Sequence, residues 1–423
     1  MDGRDSWYAR STGPVAAAPP LAGGIDTETC IVGGGMAGLA TALGLAERGR
    51  PAVLLEAGRI GDGASGRNGG MVSAGFTRDH AFIAARAGAA AAEALYRLSR
   101  DAVATLRARV ERWQIACEPV DGVLEASWFS DAAALQADAA AANRLGARLE
   151  AWPGERVRDL YRSQRYRGGL FDPDGFHLDP LRLCRGLAAA ATALGVRLFE
   201  ASPATAVSPA GGRWRVATAD GTVTADRVVL ATNVPLPVLA PQPRDGLVPI
   251  HTFIVVTEPR PERLAAAVRA PHAVYDDRFA TGYYRPLAEG RLLWGGRIDA
   301  FGPPRDLERL MRDDLALVFP QLADLPFAAA WSGVMGFTRH RMPVVRPLAE
   351  GCWVATGFGG HGLNTTVLAG ELVAAALAEG DDRWRLLAPF DLARTGGPLG
   401  RLAAQAVYLA YRARDRLRLL RQA

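Results

Sequence analysis

Apolar runs of strand length alternate with helix-length segments in the first part of the chain. Thr29 to Val32 and Ala52 to Leu55 are short apolar runs, and the segment between them from Met36 to Arg48 has helical length and ends at Gly49. A strand, a glycine-rich turn, a helix and a second strand form a βαβ unit. The residues before this unit, up to Gly24, are rich in proline, alanine and glycine and are expected to form an extended arm.

Helices are expected in the next part of the chain. Asp79 to Arg112 carries leucines at helical spacing and predicts one or two amphipathic helices, and the alanine-rich segment from Asp131 to Leu149 predicts another. Leu181 to Leu194 is expected to be a helix with Asp179 as its N-cap and Pro180 in its first turn.

The strands that follow change in style along the chain. In the α/β style we expect the strands Val196–Phe199, Trp214–Val216, Thr222–Thr224, Val228–Ala231 and Trp353–Thr356, then a glycine-rich loop at 357–362 and a helix at Asn364–Glu379. Between Ile250 and Trp331, aromatic and β-branched runs separated by turn signals predict a mainly antiparallel sheet. Examples of these runs are His251–Thr257, Thr281–Arg285 and Arg291–Trp294. Four prolines between Pro235 and Pro243 mark the expected boundary between the two styles.

Composition removes several classes of chemistry. All 49 basic residues are arginine, so a lysine-dependent phosphate loop and Schiff-base catalysis by lysine are excluded. The four cysteines lie far apart and the six histidines lack metal-binding spacing, so we expect no metal site and no disulfide framework. A net charge of +5 over 423 residues is too dilute for a nucleic-acid-binding surface. With no membrane-spanning stretch and no secretory signal, the chain is expected to be cytoplasmic.

A glycine motif lies between the first expected strand and the first expected helix. Residues 33–38 read Gly-Gly-Gly-Met-Ala-Gly and fit GxGxxG, whose glycines allow the backbone to approach a pyrophosphate at a helix N-terminus. Glu56 ends the second strand, where a carboxylate accepts hydrogen bonds from ribose hydroxyl groups. These features together indicate a dinucleotide site. The alternative is a glycine-rich structural turn.

A second glycine-rich segment, at residues 61–70, follows the second strand. Ser65 and Arg67 could donate hydrogen bonds to a phosphate or a flavin, and Asn68 to Gly70 would give the backbone access to a ring. Such a segment suits a long cofactor such as FAD. The alternative is a mobile loop.

These motifs resemble those of a known family. Glu56–Gly61 and Ala64–Gly70, with Gly359–Asn364 near the other end, resemble FAD-dependent amine and amino-acid oxidoreductases of the D-amino-acid oxidase superfamily, most closely its gamma-glutamylputrescine oxidoreductase-like branch. Further similarity lies in Ser6–Ala9, Leu230–Asn233, Arg291–Arg297 and Thr338–Pro343. The resemblance implies an α/β fold in which a discontinuous Rossmann-like FAD-binding domain carries an inserted antiparallel-sheet α+β substrate domain.

The composition and the resemblance together give expected domain boundaries. They are an extended arm (1–25), three parts of the FAD-binding domain (26–110, 156–235 and 339–380), two parts of the substrate domain (111–155 and 236–338), and a C-terminal linker with a basic helix (381–423). The flavin is expected to lie between the two domains.

The motifs and the resemblance also give the expected FAD contacts. These are Gly33, Gly35, Met36, Ala37, Gly38, Glu56, Ala57, Ser65, Arg67, Asn68, Gly69, Gly70, Val207, Thr232, Asn233, Gly357, Gly359, Gly360, His361, Gly362, Leu363 and Asn364. The 357–362 loop precedes a helix that Asn364 or Thr365 could cap, and its N–H groups would stabilise negative charge on reduced flavin. No cysteine lies near 333–335, where some relatives attach the flavin, so non-covalent FAD is expected.

The reaction implied by the resemblance is oxidation of a C–N bond in an amine or amino acid. Hydride transfer to N5 of FAD would give an imine that hydrolyses to an aldehyde or keto acid. No acid or base is required, so His361, Tyr283 and Arg285 are candidates for positioning only, and His361 could equally brace its loop. Arg285 could clamp a substrate carboxylate. Tyr283 and its neighbour Tyr284 cannot both line one pocket, and His251, Phe253, Trp331 and Phe337 are further candidates.

The expected partners follow from this chemistry. The substrate would be a small amine or amino acid, and the electron acceptor would be oxygen or another carrier, because the lysine that some relatives use towards oxygen is absent. The basic amphipathic helix Leu402–Arg421 is expected to dock on the protein body, with attachment to a membrane surface left open. The alternative functions are an FAD-binding protein that acts on a non-amine substrate, a nucleic-acid-associated flavoprotein, and a flavin scaffold without catalysis.

Overall fold

The computed structural model describes residues 6–234, 245–279 and 282–421, which form two sheets with helices packed around them. The strands are, in chain order, β1 (Gly23–Val32), β2 (Ala52–Leu55), β3 (Met71–Val72), β4 (Val120–Ser127), β5 (Glu150–Pro153), β6 (Gly168–His177), β7 (Arg197–Phe199), β8 (Ala206–Ala210), β9 (Arg213–Ala217), β10 (Gly221–Leu230), β11 (Val248–Thr257), β12 (Ala273–Asp276), β13 (Tyr283–Leu287), β14 (Arg291–Asp299), β15 (Phe327–Phe337), β16 (Val344–Ala349) and β17 (Cys352–Thr356). The helices are α1 (Trp7–Thr12), α2 (Met36–Glu47), α3 (His80–Ala87), α4 (Ala89–Arg112), α5 (Ala132–Arg144), α6 (Gly154–Leu160), α7 (Pro180–Ala193), α8 (Pro261–Ala267), α9 (Leu307–Val318), α10 (Gly362–Glu379) and α11 (Pro398–Leu420).

The first sheet is mainly parallel and carries the glycine motif. Its strands lie in the order β16–β17–β10–β1–β2–β7, parallel from β17 to β7, with β16 antiparallel at one edge and the β8–β9 hairpin attached to β10. Every residue of β2 is buried. The reason is that helices cover one face and the hairpin covers the other, as parallel strands require.

The second sheet is almost entirely antiparallel. Its strands lie in the order β15–β11–β14–β13–β12–β4–β6–β3, with β5 beside β6, and only the β12–β4 pair is parallel among the described strands. One face packs on a core that includes Tyr284, Trp294 and Phe319. Strands β3 and β6 belong to this sheet although the sequence places them in ranges expected for the FAD-binding domain. The reason is that β6 pairs with β4 on one side and with β3 on the other.

The N-terminal arm differs from its expected extended form. Residues 7–12 form helix α1, because the hydroxyl of Ser6 caps it by accepting a hydrogen bond from the Ala9 N–H at 3.2 Å. Tyr8 of this helix is buried, and its hydroxyl donates to the carbonyl of Asn68 at 2.8 Å. The arm is therefore anchored on the second glycine-rich segment. The first five residues and the proline-marked boundary at 235–243 lie outside the described residues.

Two expected strands prove to be one. The runs at 222–224 and 228–231 both fall in the region of β10, which continues without a break from Gly221 to Leu230. Its pairing with β1 extends from Gly23 opposite Gly221 to Val32 opposite Leu230. The first half of β10 also pairs with β9 in the antiparallel direction, which accounts for the hairpin pattern in the sequence there.

The C-terminal helix α11 docks on the protein body, as expected. Its Tyr411 stacks on Phe279 with ring centroids 4.3 Å apart, and its Asp415 accepts a hydrogen bond from the Phe279 N–H at 2.9 Å. The side-chain oxygen of Gln405 accepts from the N–H of Ala300 at 3.0 Å. Within the described ranges, none of the helices combines the length and apolar character needed to cross a membrane.

We predict that Gly370→Ala destabilises the protein by about 1–3 kcal/mol. A methyl group at Gly370 of α10 would lie 2.7 Å from backbone atoms of Ala40 and Thr41 in α2, so the two helices would have to separate. The midpoint of urea unfolding of the FAD-free protein measures the change. Gly63→Ala is the control, because a methyl group there meets nothing within 4 Å. Equal midpoints for both variants would contradict the prediction.

Candidate cofactor and substrate site

A cavity of about 1950 Å³ lies between the two sheets. The glycine motif, the second glycine-rich segment, the loop before α10 and one face of the second sheet all line it. The cavity therefore joins the three motifs that lie far apart in the sequence.

The turn from β1 into α2 has room for glycine only. Gly33 has a φ of +116°, and a side chain there would place its Cβ 2.6 Å from the carbonyl oxygen of Ala231 at the end of β10. A methyl group at Gly38 would overlap the carbonyl of Gly33. The close packing that glycine allows directs the N-terminus of α2, which begins at Met36, towards the cavity.

Glu56 lies at the end of β2 and lines the same part of the cavity. Its Oε2 accepts from the Gly34 N–H at 2.7 Å and its Oε1 accepts from the Gly58 N–H at 2.8 Å. Burial raises the pKa of Glu56, while these two hydrogen bonds act in the opposite direction. The carboxylate is thus held in one orientation beside the glycine motif.

The side chains of the second glycine-rich segment shape its own loop. The hydroxyl of Ser65 accepts from the Met36 N–H at 2.9 Å and keeps its own proton available to donate. Asn68 donates to the Ser65 carbonyl at 2.7 Å and accepts from the Gly70 N–H at 2.9 Å. Arg67 donates to the Ser332 carbonyl of β15 at 2.8 Å. These bonds tie the segment to both sheets and leave its backbone facing the cavity.

The loop before α10 differs from expectation in its cap. The helix begins at Gly362 with His361 as the N-cap residue, and no side chain caps it. Asn364 instead donates to the Gly75 carbonyl at 3.0 Å, and Thr365 donates to the His361 carbonyl at 2.6 Å, so neither side chain accepts from the first N–H groups of the helix. The first N–H groups of α10 therefore remain available at the cavity.

His361 is held in place by a hydrogen bond to the backbone. Its Nε2–H donates to the Ser73 carbonyl at 3.1 Å, and the imidazole lines the cavity. Burial lowers the pKa of His361, because the charged imidazolium would lose its hydration.

Most of the expected FAD contacts line the cavity. They are Gly33, Gly35, Met36, Ala37, Glu56, Ala57, Ser65, Arg67, Asn68, Gly69, Thr232, Asn233, Gly359, Gly360, His361, Gly362, Leu363 and Asn364. Gly38, Gly70 and Gly357 do not line it. Gly70 and Gly357 have φ angles of +78° and +76°, a left-handed backbone conformation that favours glycine, so their role is to let the backbone turn. Val207 is buried in the hydrophobic cluster between the β8–β9 hairpin and the first sheet, and Pro203 and Ala204 line the cavity in its place.

Arg285 does not face the cavity. Its Nε donates to the Gly69 carbonyl at 2.8 Å, and its Nη2 donates to the Tyr8 hydroxyl at 3.2 Å. The side chain is buried beneath the second glycine-rich segment, so the expected clamp on a substrate carboxylate is corrected to a bracing role. Tyr283 does line the cavity, whereas Tyr284 faces the aromatic core on the other side of the sheet.

The remaining aromatic candidates divide in the same way. Phe337 lines the cavity, whereas Phe253 and Trp331 are buried in two hydrophobic clusters and His251 lies outside the lining. The indole N–H of Trp331 donates to the Arg67 carbonyl at 2.9 Å, so this residue also braces the second glycine-rich segment.

Several further residues line the cavity that were not among the expected contacts, although Arg297, Arg339 and Arg341 lie in segments that carry the family resemblance. These further residues are Tyr96, Thr77 and Arg78 near α3 and α4, Glu125 and Tyr275 on the second sheet, Arg297, Arg339 and Arg341 on later strands and loops, and Val407 and Tyr411 of α11. Glu125 left a weak signal, because it is the one carboxylate in the otherwise apolar centre of a strand reading Val-Leu-Glu-Ala. Arg78 left none in a chain so rich in arginine.

The cavity fits FAD on three observations of its lining. Two helix N-termini, those of α2 and α10, reach it with no cap from their own N-cap residues, although the Ser65 hydroxyl accepts from the first N–H of α2. The glycine turn leaves no room for a side chain, and a carboxylate stands at the end of β2. A dinucleotide needs donors for its phosphates and an acceptor for its ribose, and the site supplies both.

Comparisons with known proteins agree with this geometry. Residues 28–376 match the family model described as FAD dependent oxidoreductase. The chain is 35% identical to the gamma-glutamylputrescine oxidoreductase of Escherichia coli, covering 97% of this chain and 98% of that protein. It is 32% identical to a probable oxidoreductase of Haemophilus influenzae, covering 89% of each.

Solved structures share the fold. Glycine oxidase from Bacillus cereus matches with a TM-score of 0.71 at 19% identity, covering 87% of this chain and 99% of that one. L-Proline dehydrogenase from P. horikoshii matches with a TM-score of 0.72 at 19% identity, covering 87% of this chain and 96% of that one. The α/β fold expected from the sequence is thereby confirmed.

We predict that Glu56→Gln weakens FAD binding about tenfold, since one charged hydrogen bond is worth about 1.5 kcal/mol. The amide keeps the shape of the side chain but cannot accept with both oxygen positions. Quenching of flavin fluorescence on titrating the FAD-free protein measures the affinity. Glu93→Gln is the control, because Glu93 forms an exposed pair with Arg97 and does not line the cavity. Unchanged affinity in Glu56→Gln would contradict the assignment of this carboxylate to the ribose.

Proposed function

The chain belongs to the family of FAD-dependent oxidoreductases, and from that premise we propose that it oxidises a C–N bond of an amine or amino acid. The product would be an imine that hydrolyses to an aldehyde or keto acid. The observation that carries the proposal is the single cavity that joins the dinucleotide motif to the exposed face of the second sheet. A substrate on that face would lie beside the part of the cavity lined by His361.

The relatives support an amine as substrate. The Escherichia coli protein that is 35% identical over 97% of this chain is named for gamma-glutamylputrescine, which is an amine. The similarity covers 98% of that protein, so it includes the part of this chain that forms the second sheet.

We assign the two parts of the cofactor to two regions of the cavity. Residues 33–37 and Glu56 would hold the adenosine and pyrophosphate part, and Ser65 would add a hydroxyl donor. Residues 67–69 and the 359–364 loop would hold the isoalloxazine ring, with the N-terminus of α10 directed at developing negative charge. When bound, FAD supplies the acceptor for the hydride that leaves the carbon beside the amine nitrogen.

The protein's own contribution is to orient the amine and keep it neutral. The burial that lowers the pKa of His361 would also lower the pKa of an amine placed beside it. Only the neutral amine has the free electron pair that assists loss of hydride from the adjacent carbon. Tyr283 forms part of the cavity floor beside Gly69. Its ring packs so closely on the backbone of Gly69 that a methyl group there would lie only 2.7 Å from the ring. No described side chain needs to move a proton in this scheme.

We propose that FAD is held non-covalently. Cys30, Cys117, Cys184 and Cys352 are all buried, and burial raises the pKa of each thiol, which disfavours the reactive thiolate. None of the four lines the cavity.

We expect acid precipitation of the holoenzyme to release the yellow colour into the supernatant. The absorbance spectrum of the supernatant and of the redissolved pellet measures where the flavin is. A flavin that stays with the pellet after proteolysis and denaturing wash would show a covalent link.

We expect anaerobic mixing of the holoenzyme with amines to bleach the visible absorbance of the oxidised flavin. The panel contains gamma-glutamylputrescine, N-methyl amino acids and D-amino acids, and each amine is paired with the alcohol of the same skeleton. Bleaching by at least one amine and by none of the alcohols supports oxidation of a C–N bond. Bleaching by alcohols alone, or by no member of the panel, would overturn the proposed function.

A further inference from the structure

The C-terminal helix α11 carries most of the large apolar side chains that are exposed. Of the nine such side chains in residues 6–234, 245–279 and 282–421, six belong to this one helix. They are Leu399, Leu402, Val407, Leu409, Leu417 and Leu420, with exposed fractions between 49% and 75%. Exposed apolar side chains that are scattered singly need no explanation, whereas a concentration of them marks an interaction surface.

The five exposed leucines of α11 form one continuous stripe. This leucine stripe consists of Leu399, Leu402, Leu409, Leu417 and Leu420, together with the exposed Ala406 and Ala413 between them. Successive members are three or four residues apart, so they share one face of the helix. At about 1.5 Å per residue the stripe is about 32 Å long. Val407 has a different direction, because it lines the cavity.

The helix is attached to the protein body by its other face. The two residues of α11 that are buried are Tyr408 and Asp415. Gln405 donates to the Asp299 carboxylate at 3.1 Å, and Tyr411 stacks on a ring of the body as described above. An amphipathic helix on a globular protein usually packs its leucines on the core. In α11 polar and aromatic side chains make the attachment instead, and the leucine stripe stays outside.

Arginines lie on both sides of the leucine stripe. At 3.6 residues per turn, Arg412 and Arg416 fall on one side of it, and Arg414 and Arg421 fall on the other. In the part of the chain that is described, the one ion pair formed by α11 joins Arg414 to the buried Asp415 at 3.4 Å. The exposed apolar face is therefore bordered by positive charge and by no exposed carboxylate of the same helix.

The sign of this charge decides between the surfaces that a leucine stripe can meet. Two copies of α11 packed stripe to stripe would bring their arginines together with no acidic side chains to pair them, which disfavours self-association. A bilayer of anionic phospholipid offers an apolar interior to the stripe and phosphate groups to the arginines on both sides. None of the helices in the described ranges can cross a membrane, but a helix that lies in the interface needs only one apolar face.

We propose that α11 binds the protein to the surface of an anionic phospholipid membrane. The leucine stripe enters the boundary between headgroups and acyl chains, and Arg412, Arg414, Arg416 and Arg421 contact lipid phosphates. Neither the stripe nor these arginines line the cavity, so the inference goes beyond the proposed reaction and does not depend on it.

Binding of the holoenzyme to lipid vesicles tests the proposal. One set of vesicles is phosphatidylcholine alone, and the other is an equal mixture of phosphatidylcholine and phosphatidylglycerol. Sedimentation at increasing lipid concentration gives a partition constant, which we expect to be at least about tenfold larger for the mixture. Raising sodium chloride from about 0.1 M to about 1 M shortens the Debye length from about 10 Å to about 3 Å and should lower binding to the mixture at least about threefold.

A variant of the leucine stripe tests the apolar contribution. The triple variant Leu402→Gln, Leu409→Gln and Leu420→Gln is expected to lower the partition constant on the mixed vesicles at least about tenfold, because less apolar surface enters the interface. The matched control is Val15→Gln with Leu194→Gln, two apolar side chains that are exposed elsewhere on the protein. The control should bind within about twofold of the native protein.

A second variant tests the arginines at constant apolar surface. Arg416→Gln with Arg421→Gln is expected to lower the partition constant about tenfold on the mixed vesicles and less than twofold on phosphatidylcholine. Arg144→Gln with Arg305→Gln removes the same charge from two arginines that are exposed on other elements, and it should leave both constants unchanged. Equal losses in the two pairs would show attraction to net charge alone and would overturn the proposal.

Two further results would also overturn it. One is a native holoenzyme that binds neither kind of vesicle. The other is a dimer in light scattering that the leucine variant dissociates while vesicle binding stays unchanged, which would assign the leucine stripe to a second copy of the chain. The visible spectrum of the bound flavin checks that each variant is folded, and if the leucine variant loses its flavin, the arginine pair and the salt series decide. Flavin reduction by amines plays no part, so failure here leaves the proposed function untouched.

Discussion

The close approach of backbone segments at the end of β1 determines the rest of the site. Gly33 lies against the carbonyl of Ala231, and Gly38 lies against Gly33, so the chain can turn from strand to helix only where no side chain intervenes. This packing fixes the direction of α2 and leaves its first N–H groups at the cavity. The ends of β1, β2 and β10 then meet at one edge of the first sheet, where the cavity opens.

The second glycine-rich segment joins the two sheets across the cavity. Arg67 reaches a carbonyl of β15, Trp331 of β15 returns a hydrogen bond to the Arg67 carbonyl, and Arg285 of β13 holds the Gly69 carbonyl. Tyr8 of the N-terminal helix completes the contact through the Asn68 carbonyl. Trp331, Arg285 and Tyr8, from three distant parts of the chain, thus hold three consecutive carbonyl groups of this segment. Such bracing holds a binding surface more precisely than a loop could by itself.

Desolvation links the cofactor end of the cavity to its substrate end. At the loop before α10, burial lowers the pKa of His361 and would favour a neutral reacting amine. On the second sheet, burial likewise raises the pKa of the half-buried Glu125, which also lines the cavity. In both places the cavity favours the neutral form of an ionisable group.

The sequence by itself determined the βαβ unit, the glycine motif, Glu56 at the end of β2 and the glycine-rich loop before α10. These features depend on the local conformation of the backbone, which the residue types along the chain largely determine. The tertiary structure decided which side chains face the cavity: Arg285 turned out to be a brace, Val207 a core residue, and Glu125 a lining residue. The direction of a side chain relative to a cavity depends on the packing of elements distant in sequence, which residue spacing along the chain does not record.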